Sequence, residues 1–158
     1  MKRSENKAKA GFTLLEIMIV VSVIALLAVM AYPAYSEARE TTQQTTFISE
    51  LRVFSGAAEI YMLDSGAYLE DSSTGTVPAG WAPYIDTESW TSGTPIGGSW
   101  DVELDSYGVK AALGVVFSGG APSAAYMQEI DDRFDDGGVI TGSFRRIAPG
   151  RYYYILQE

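Results

Sequence analysis

The chain has 158 residues, 47% hydrophobic and 20% charged, enough for one compact domain and too few for two ordinary ones. It contains no Cys and no His, which excludes thiol nucleophiles, disulfides, Cys/His zinc sites and imidazole bases. A net charge of −9 disfavours nucleic-acid binding by the bulk of the fold.

Charge is divided sharply along the chain. Residues 1–11 hold Lys2, Arg3, Lys7 and Lys9 against Glu5, a net +3, and the remainder carries −12. From Phe12 to Tyr32, 21 residues, the only charge is Glu16. As a helix that run spans ~31 Å, about the thickness of a bilayer's hydrocarbon core. Bases ahead of it stay cytoplasmic, so the rest of the chain is expected on the far side of the membrane. The run admits three readings. One is a plain single-pass anchor. Another is a secretory signal peptide ending at Val29-Met30-Ala31, although the run exceeds the ~7–15 apolar residues of such signals and has an acid near its start. The third takes the acid as the point, because a charge inside an inserted helix costs ~2.5–3.5 kcal/mol and marks function by default.

Gly11-Phe12-Thr13-Leu14-Leu15-Glu16, after a short basic leader and before an unbroken apolar run, resembles the prepilin cleavage and methylation signature of type IV pilins and type II secretion pseudopilins. The matching features are a small residue at the cut, Phe after it, and Glu as the fifth residue beyond. Pro33 falls where many members carry a helix-kinking proline. The resemblance implies a peptidase that cuts between Gly11 and Phe12 and then methylates the amine of Phe12. It implies, as partners, copies of the chain itself, that prepilin peptidase/methyltransferase, and an assembly platform driven by a cytoplasmic ATPase. Physical chemistry suits these roles. Gly11 lets the backbone approach a protease closely. A methylated amine remains a cation, and a neighbour's amine can neutralise Glu16 where an unpaired carboxylate is penalised. A protonated or snorkelling Glu16 is the plainer alternative.

Beyond the membrane run, Ser36 to Thr46 is polar all round. Phe47, Leu51, Phe54, Ala58 and Tyr61 then recur at helical spacing, as for a helix packed on its own domain. The pattern predicts one helix from Phe12 to about Leu63, loosened at Pro33 and ended at Asp64-Ser65-Gly66. Residues 66–98, rich in Gly, Ser, Thr and Pro, read as a long surface connection pinned by Tyr68, Trp81, Tyr84 and Trp90, with a subunit interface as its functional reading. Trp100 to Asp105 alternates as a half-buried strand with an acidic outer face, and Asp105-Ser106-Tyr107-Gly108 turns into a buried strand from Val109 to Phe117. Ser123 caps a short helix through Phe134. Gly142 to Ile147, a type II turn at Ala148-Pro149-Gly150-Arg151, and Arg151 to Leu156 complete a hairpin. The fold expected is α+β and pilin-like: a long N-terminal helix whose amphipathic half packs on an antiparallel sheet of about four strands. Its divisions are a leader at 1–11, a transmembrane and assembly helix at 12–35, and a head at 36–158.

The head shows no enzyme motif, and no cofactor is expected. Asp131, Asp132, Asp135 and Asp136 gather hard oxygen ligands that suit calcium, and the resemblance adds weight, since a loop of major pseudopilins binds it. EF-hand spacing is missing, so the cluster reads first as a solvated acidic turn, with Arg145, Arg146 and Arg151 as cross-strand charges facing it. The functional reading is therefore a filament subunit, stored as a single-pass inner-membrane protein with its head outside the cytoplasm. Absence of Cys, and so of a pilin's C-terminal disulfide staple, leans it toward a pseudopilin or a Cys-free pilin. The alternative is an anchored or secreted adhesin-like binding head whose N-terminus serves only for targeting.

Overall fold

The computed structural model describes residues 11–158; the leader residues 1–10, with their bases, lie outside the described residues. The chain forms two compact units, one ending at Glu40 and the other running Thr41–Glu158. Helix α1, Leu14–Ser65, is 52 residues long and contributes to both. Pro33 lies inside α1 without ending it. In the first unit the large apolar side chains of α1, from Leu14 to Tyr35, are all exposed.

In the second unit α1 turns amphipathic, and Phe47, Leu51, Phe54 and Ala58 are buried with Tyr61 packed beside them. The helix stops at Gly66, whose φ of +74° is the left-handed conformation that suits a C′ glycine. Four strands follow, β1 Ser99–Ser106, β2 Val109–Val116, β3 Phe144–Ala148 and β4 Arg151–Gln157, in the antiparallel order β1-β2-β4-β3. Tyr107 and Gly108 join β1 to β2 with φ of +51° and +80°, the two positive values that a type I′ hairpin needs. Pro149-Gly150 closes β3 to β4, with Gly150 at φ +73°.

One sheet face carries Trp100, Val102, Leu113, Val115, Phe144 and Tyr152, which pack with the stripe of α1 in the main core. The opposite face carries a smaller cluster of Val109, Ala112, Val116, Tyr153 and Ile155. The 66–98 connection is more structured than its composition predicts. It holds a 3-10 turn at Ala82–Tyr84 and helix α2 at Thr87–Thr91, capped by Asp86, whose side chain accepts from the Glu88 N–H at 3.1 Å. Trp81, just before the 3-10 turn, and Trp90, within α2, are fully buried. Helix α3, Ala124–Phe134, starts at Ser123 as expected, with the Tyr126 N–H donating to Ser123 Oγ at 3.2 Å.

Gly114 is the tightest point of the sheet. It pairs with Asp101 on β1 and Tyr153 on β4, and a Cβ there would lie 2.1 Å from the Tyr152 carbonyl oxygen. The missing side chain also clears a path for the Tyr153 ring to cross β2 and reach Asp101 at 2.5 Å. Gly114→Ala is therefore expected to destabilise the head by about 3 kcal/mol through overpacking. Urea denaturation followed through the three buried tryptophans measures it.

Candidate functional site

The N-terminal end of α1 is built from Thr13 and Glu16. Thr13 precedes the first helical residue, and its Oγ1 accepts from the Glu16 N–H at 3.2 Å. Thr13-Leu14-Leu15-Glu16 is a capping-box pattern, and it puts the carboxylate in the first turn, where the helix dipole favours a negative charge. This role of Thr13 is legible in the S/T-x-x-E spacing, yet the apolar run hides it. Gly11, Phe12 and Glu16 are all exposed, with Phe12 at 79%. Ser22, the other polar group within the run from Leu14 to Tyr32, donates its hydroxyl to the Met18 carbonyl at 2.7 Å. The Ser22 hydroxyl is thus satisfied within the helix, and apart from Glu16 the exposed surface of the segment is predominantly apolar, as a lipid or helical environment requires.

Polar groups in the head collect at two places. On β1 the acidic outer face is not solvated as the alternation suggests: Asp101 is 3% and Glu103 5% exposed. Arg151 of β4 reaches both, at 3.1 Å to Asp101 and closer still to Glu103, and the Tyr153 hydroxyl donates to Asp101. Tyr107 stacks over the Arg151 guanidinium at 5.2 Å. Arg151 therefore faces the acids of its own sheet and not the 131–136 cluster. Arg145 likewise pairs with Glu158 at 2.9 Å. Strand pairing decides this, because β4 lies beside β2, within reach of β1, while the cluster sits at the end of α3.

At that second place the solvated turn expected from the sequence is only partly present. Asp135 and Asp136 are exposed, but Asp131 is 0% exposed and neither of its carboxylate oxygens has a partner at hydrogen-bond geometry. Asp135 Oδ2 accepts from the Ser143 and Phe144 N–H groups, the latter at 2.9 Å. Asp136 accepts from the Gly138 N–H at 2.9 Å and from the Thr141 hydroxyl at 3.1 Å.

Residues 6–32 match the family described as the prokaryotic N-terminal methylation motif. This is the type IV pilin and pseudopilin signature. Neither curated proteins nor solved structures yield a match to the chain. The motif supports a type IV pilin-like or pseudopilin precursor, with prepilin peptidase processing and filament assembly as its implications. Together with an exposed helical window apolar and long enough to cross a bilayer, it indicates membrane anchoring before assembly. The α+β layout of long helix and four-stranded antiparallel sheet is pilin-like.

Burial, and then the charges of Asp135, Asp136 and Asp132, push the Asp131 carboxyl up to about 6, and the Gly137 backbone N–H offsets this only slightly. Burial also raises Asp101 and Glu103, against the lowering effect of their hydrogen bonds and of Arg151. Each group binds its proton more tightly folded than unfolded. The Asp131 contribution is therefore greatest below its unfolded value of 3.8 and is lost as pH rises toward 6, and Asp101 and Glu103 act in the same direction. In divalent-free buffer, stability is expected to fall between pH 4 and 6. Asp131→Asn should flatten that slope and raise stability at pH 7 by about 1–2 kcal/mol, read from urea midpoints across pH.

Proposed function

We propose that the chain is the structural subunit of a type IV pilus or a type II secretion pseudopilus. In this reading residues 1–11 are a leader, 12–35 a membrane and assembly helix, and 36–158 the head. The leader stays cytoplasmic, and a prepilin peptidase cuts after Gly11 and methylates Phe12. The subunit waits as a single-pass protein of the inner membrane with its head outside the cytoplasm, then joins copies of itself through an assembly platform and its ATPase. The observation that carries the reading is the methylation motif placed at the start of a helix whose apolar side chains are all exposed. Proteins with this motif are structural subunits and not enzymes. A Cys-free head favours a pseudopilus, or a pilus whose subunits lack the disulfide staple.

Burying that apolar surface against lipid, and then against neighbouring helices, supplies the driving force, at roughly 25 cal/mol per Å². Apolar surface has no register of its own. Glu16, held in the first turn of α1 by the Thr13 cap, supplies one by pairing with the methylated amine of a neighbour's Phe12. Pro33 gives the helix a place to bend, since its ring removes the N–H that would bind the Val29 carbonyl.

Intact mass and N-terminal sequencing of the protein from its native membranes test the processing step. A chain beginning at methylated Phe12 is expected. One beginning at Tyr32, or an intact Met1, overturns the filament reading in favour of a secreted or plainly anchored head. Glu16→Gln tests the pairing. It should leave membrane insertion and head folding unchanged and slow filament assembly at least tenfold, and assembly at the normal rate and register would sink the idea.

A further inference from the structure

We propose that Asp101 and Glu103 form a coupled carboxyl pair that holds one proton between them, making the outer face of the sheet a clasp that rising pH loosens. The inference rests on the head alone and stands apart from the filament reading. Its starting point is a mismatch of charge. Asp101 and Glu103, two residues apart on β1 and both buried, present two acids to one base, Arg151 of β4. With both ionised the cluster carries −1 where water is largely excluded, and like charges at close range disfavour that state. The bases at neighbouring positions are engaged elsewhere. Lys110 of β2 is held by Asp105 at 2.7 Å, and Arg145, opposite Tyr153 on β3, by Glu158 at 2.9 Å. Asp71, from the 66–98 connection, adds a further negative field at both acids.

Counting hydrogens gives the same answer. Arg151 Nη1 faces three oxygens: Asp101 Oδ2 at 3.1 Å, the Tyr153 hydroxyl at 3.0 Å, and Glu103 Oε1 closer still. That nitrogen carries two hydrogens. The Tyr153 hydroxyl, with one hydrogen to donate, lies 2.5 Å from Asp101 Oδ2 and 3.5 Å from Glu103 Oε1. Five contacts among these four atoms therefore share three hydrogens. A proton on one carboxyl supplies a fourth and completes the cluster's internal compensation. The phenol lets the two acids share it. With Glu103 protonated, Glu103 donates to the phenol oxygen while the phenol donates to Asp101; with Asp101 protonated, both bonds reverse.

The surroundings retain that proton. Asp101 Oδ1 is buried with no partner at hydrogen-bond geometry, which a neutral carboxyl tolerates better than a carboxylate. Arg151 and the hydroxyls of Tyr153 and Thr74 favour charge on Asp101, as Arg151 and Ser106 do on Glu103, but burial outweighs them at both. Gly114 and Ala112, opposite Asp101 and Glu103 on β2, keep the space between β1 and β4 clear, and Tyr107 covers the guanidinium at 5.2 Å. Loss of the proton leaves a net charge beneath Tyr107, so the contact of β4 with β1 weakens as pH rises.

The full chain in detergent micelles, ¹³C-labelled at its Asp and Glu carboxyls and titrated by NMR, tests the pair. An Asp131→Asn background removes the other buried acid of the head. The Asp101 and Glu103 signals should move together through two shared steps, not one step each. Glu103→Gln should cut the proton affinity of Asp101, and Asp101→Asn that of Glu103, by at least ~10-fold. Across the upper step the folding equilibrium constant, from urea midpoints, should fall by up to about tenfold per pH unit, the slope for one proton released on unfolding. Either variant should flatten that slope. Should Asp101→Asn fail to fold, Glu103→Gln and the parent give the same reading. Asp105→Asn, whose carboxylate binds Lys110, should leave both titrations in place. Independent titration of the two acids, an unmoved Asp101 in Glu103→Gln, or two carboxylates ionised wherever the head is folded would each overturn the proposal.

Discussion

Phe54 of α1 touches all three tryptophans of the chain, with ring centroids 6.1 Å from Trp81, 5.2 Å from Trp90 and 5.0 Å from Trp100. One side chain thereby joins the helix, the 66–98 connection and the first strand. Phe47, two turns earlier, stacks on Trp100 at 5.3 Å and meets Phe144 of β3 edge-on at 6.1 Å. Aromatic rings bury the most area per residue, and such contacts add roughly 0.5–1.5 kcal/mol beyond that area. These two phenylalanines belong, with Leu51 and Ala58, to the stripe by which α1 covers one face of the four-stranded sheet. The indole N–H of Trp90 reaches the Thr76 carbonyl at 3.0 Å and fixes the connection as well.

Within one helix, then, two kinds of apolar surface coexist. Residues such as Phe47, Leu51 and Phe54 find their partners inside the chain. Those from Leu14 to Val29 find none among the described residues of the first unit, where α1 is the one element. Exposed apolar surface of that extent is not stable in water and demands lipid or other helices. The match to the prokaryotic N-terminal methylation motif, residues 6–32, falls on this same segment.

Buried charge follows a different logic in the head. Asp101 and Glu103 share a guanidinium and a phenol, so the outer face of the sheet holds two acids on one base. Asp131 shares nothing of the kind. The contrast separates an internally compensated cluster from a buried carboxylate that burial holds closer to its protonated form.

Local chemistry was readable in advance. Ser123 before an apolar-periodic stretch, Gly66 after one, and Pro149-Gly150 between two alternating runs each act within a few residues, so pattern alone placed α1, α3, the hairpins and the α+β class. The stripe of Phe47 to Tyr61 and the Gly11-Phe12-Glu16 motif were legible for the same reason. What pattern could not supply was which distant groups meet. Alternation set Asp101 and Glu103 on the outer face, but only the order β1-β2-β4-β3 and the bare Gly114 between them brought Arg151 and Tyr153 across to bury them. Composition marked 66–98 as loop, but Trp81 and Trp90 drew it onto Phe54 and folded short turns around themselves. Four aspartates in six residues read as solvent-facing, but packing of α3 turned Asp131 inward. Sequence by itself determines what is written in neighbouring residues, whereas burial is a property of the whole packed chain and is decided there.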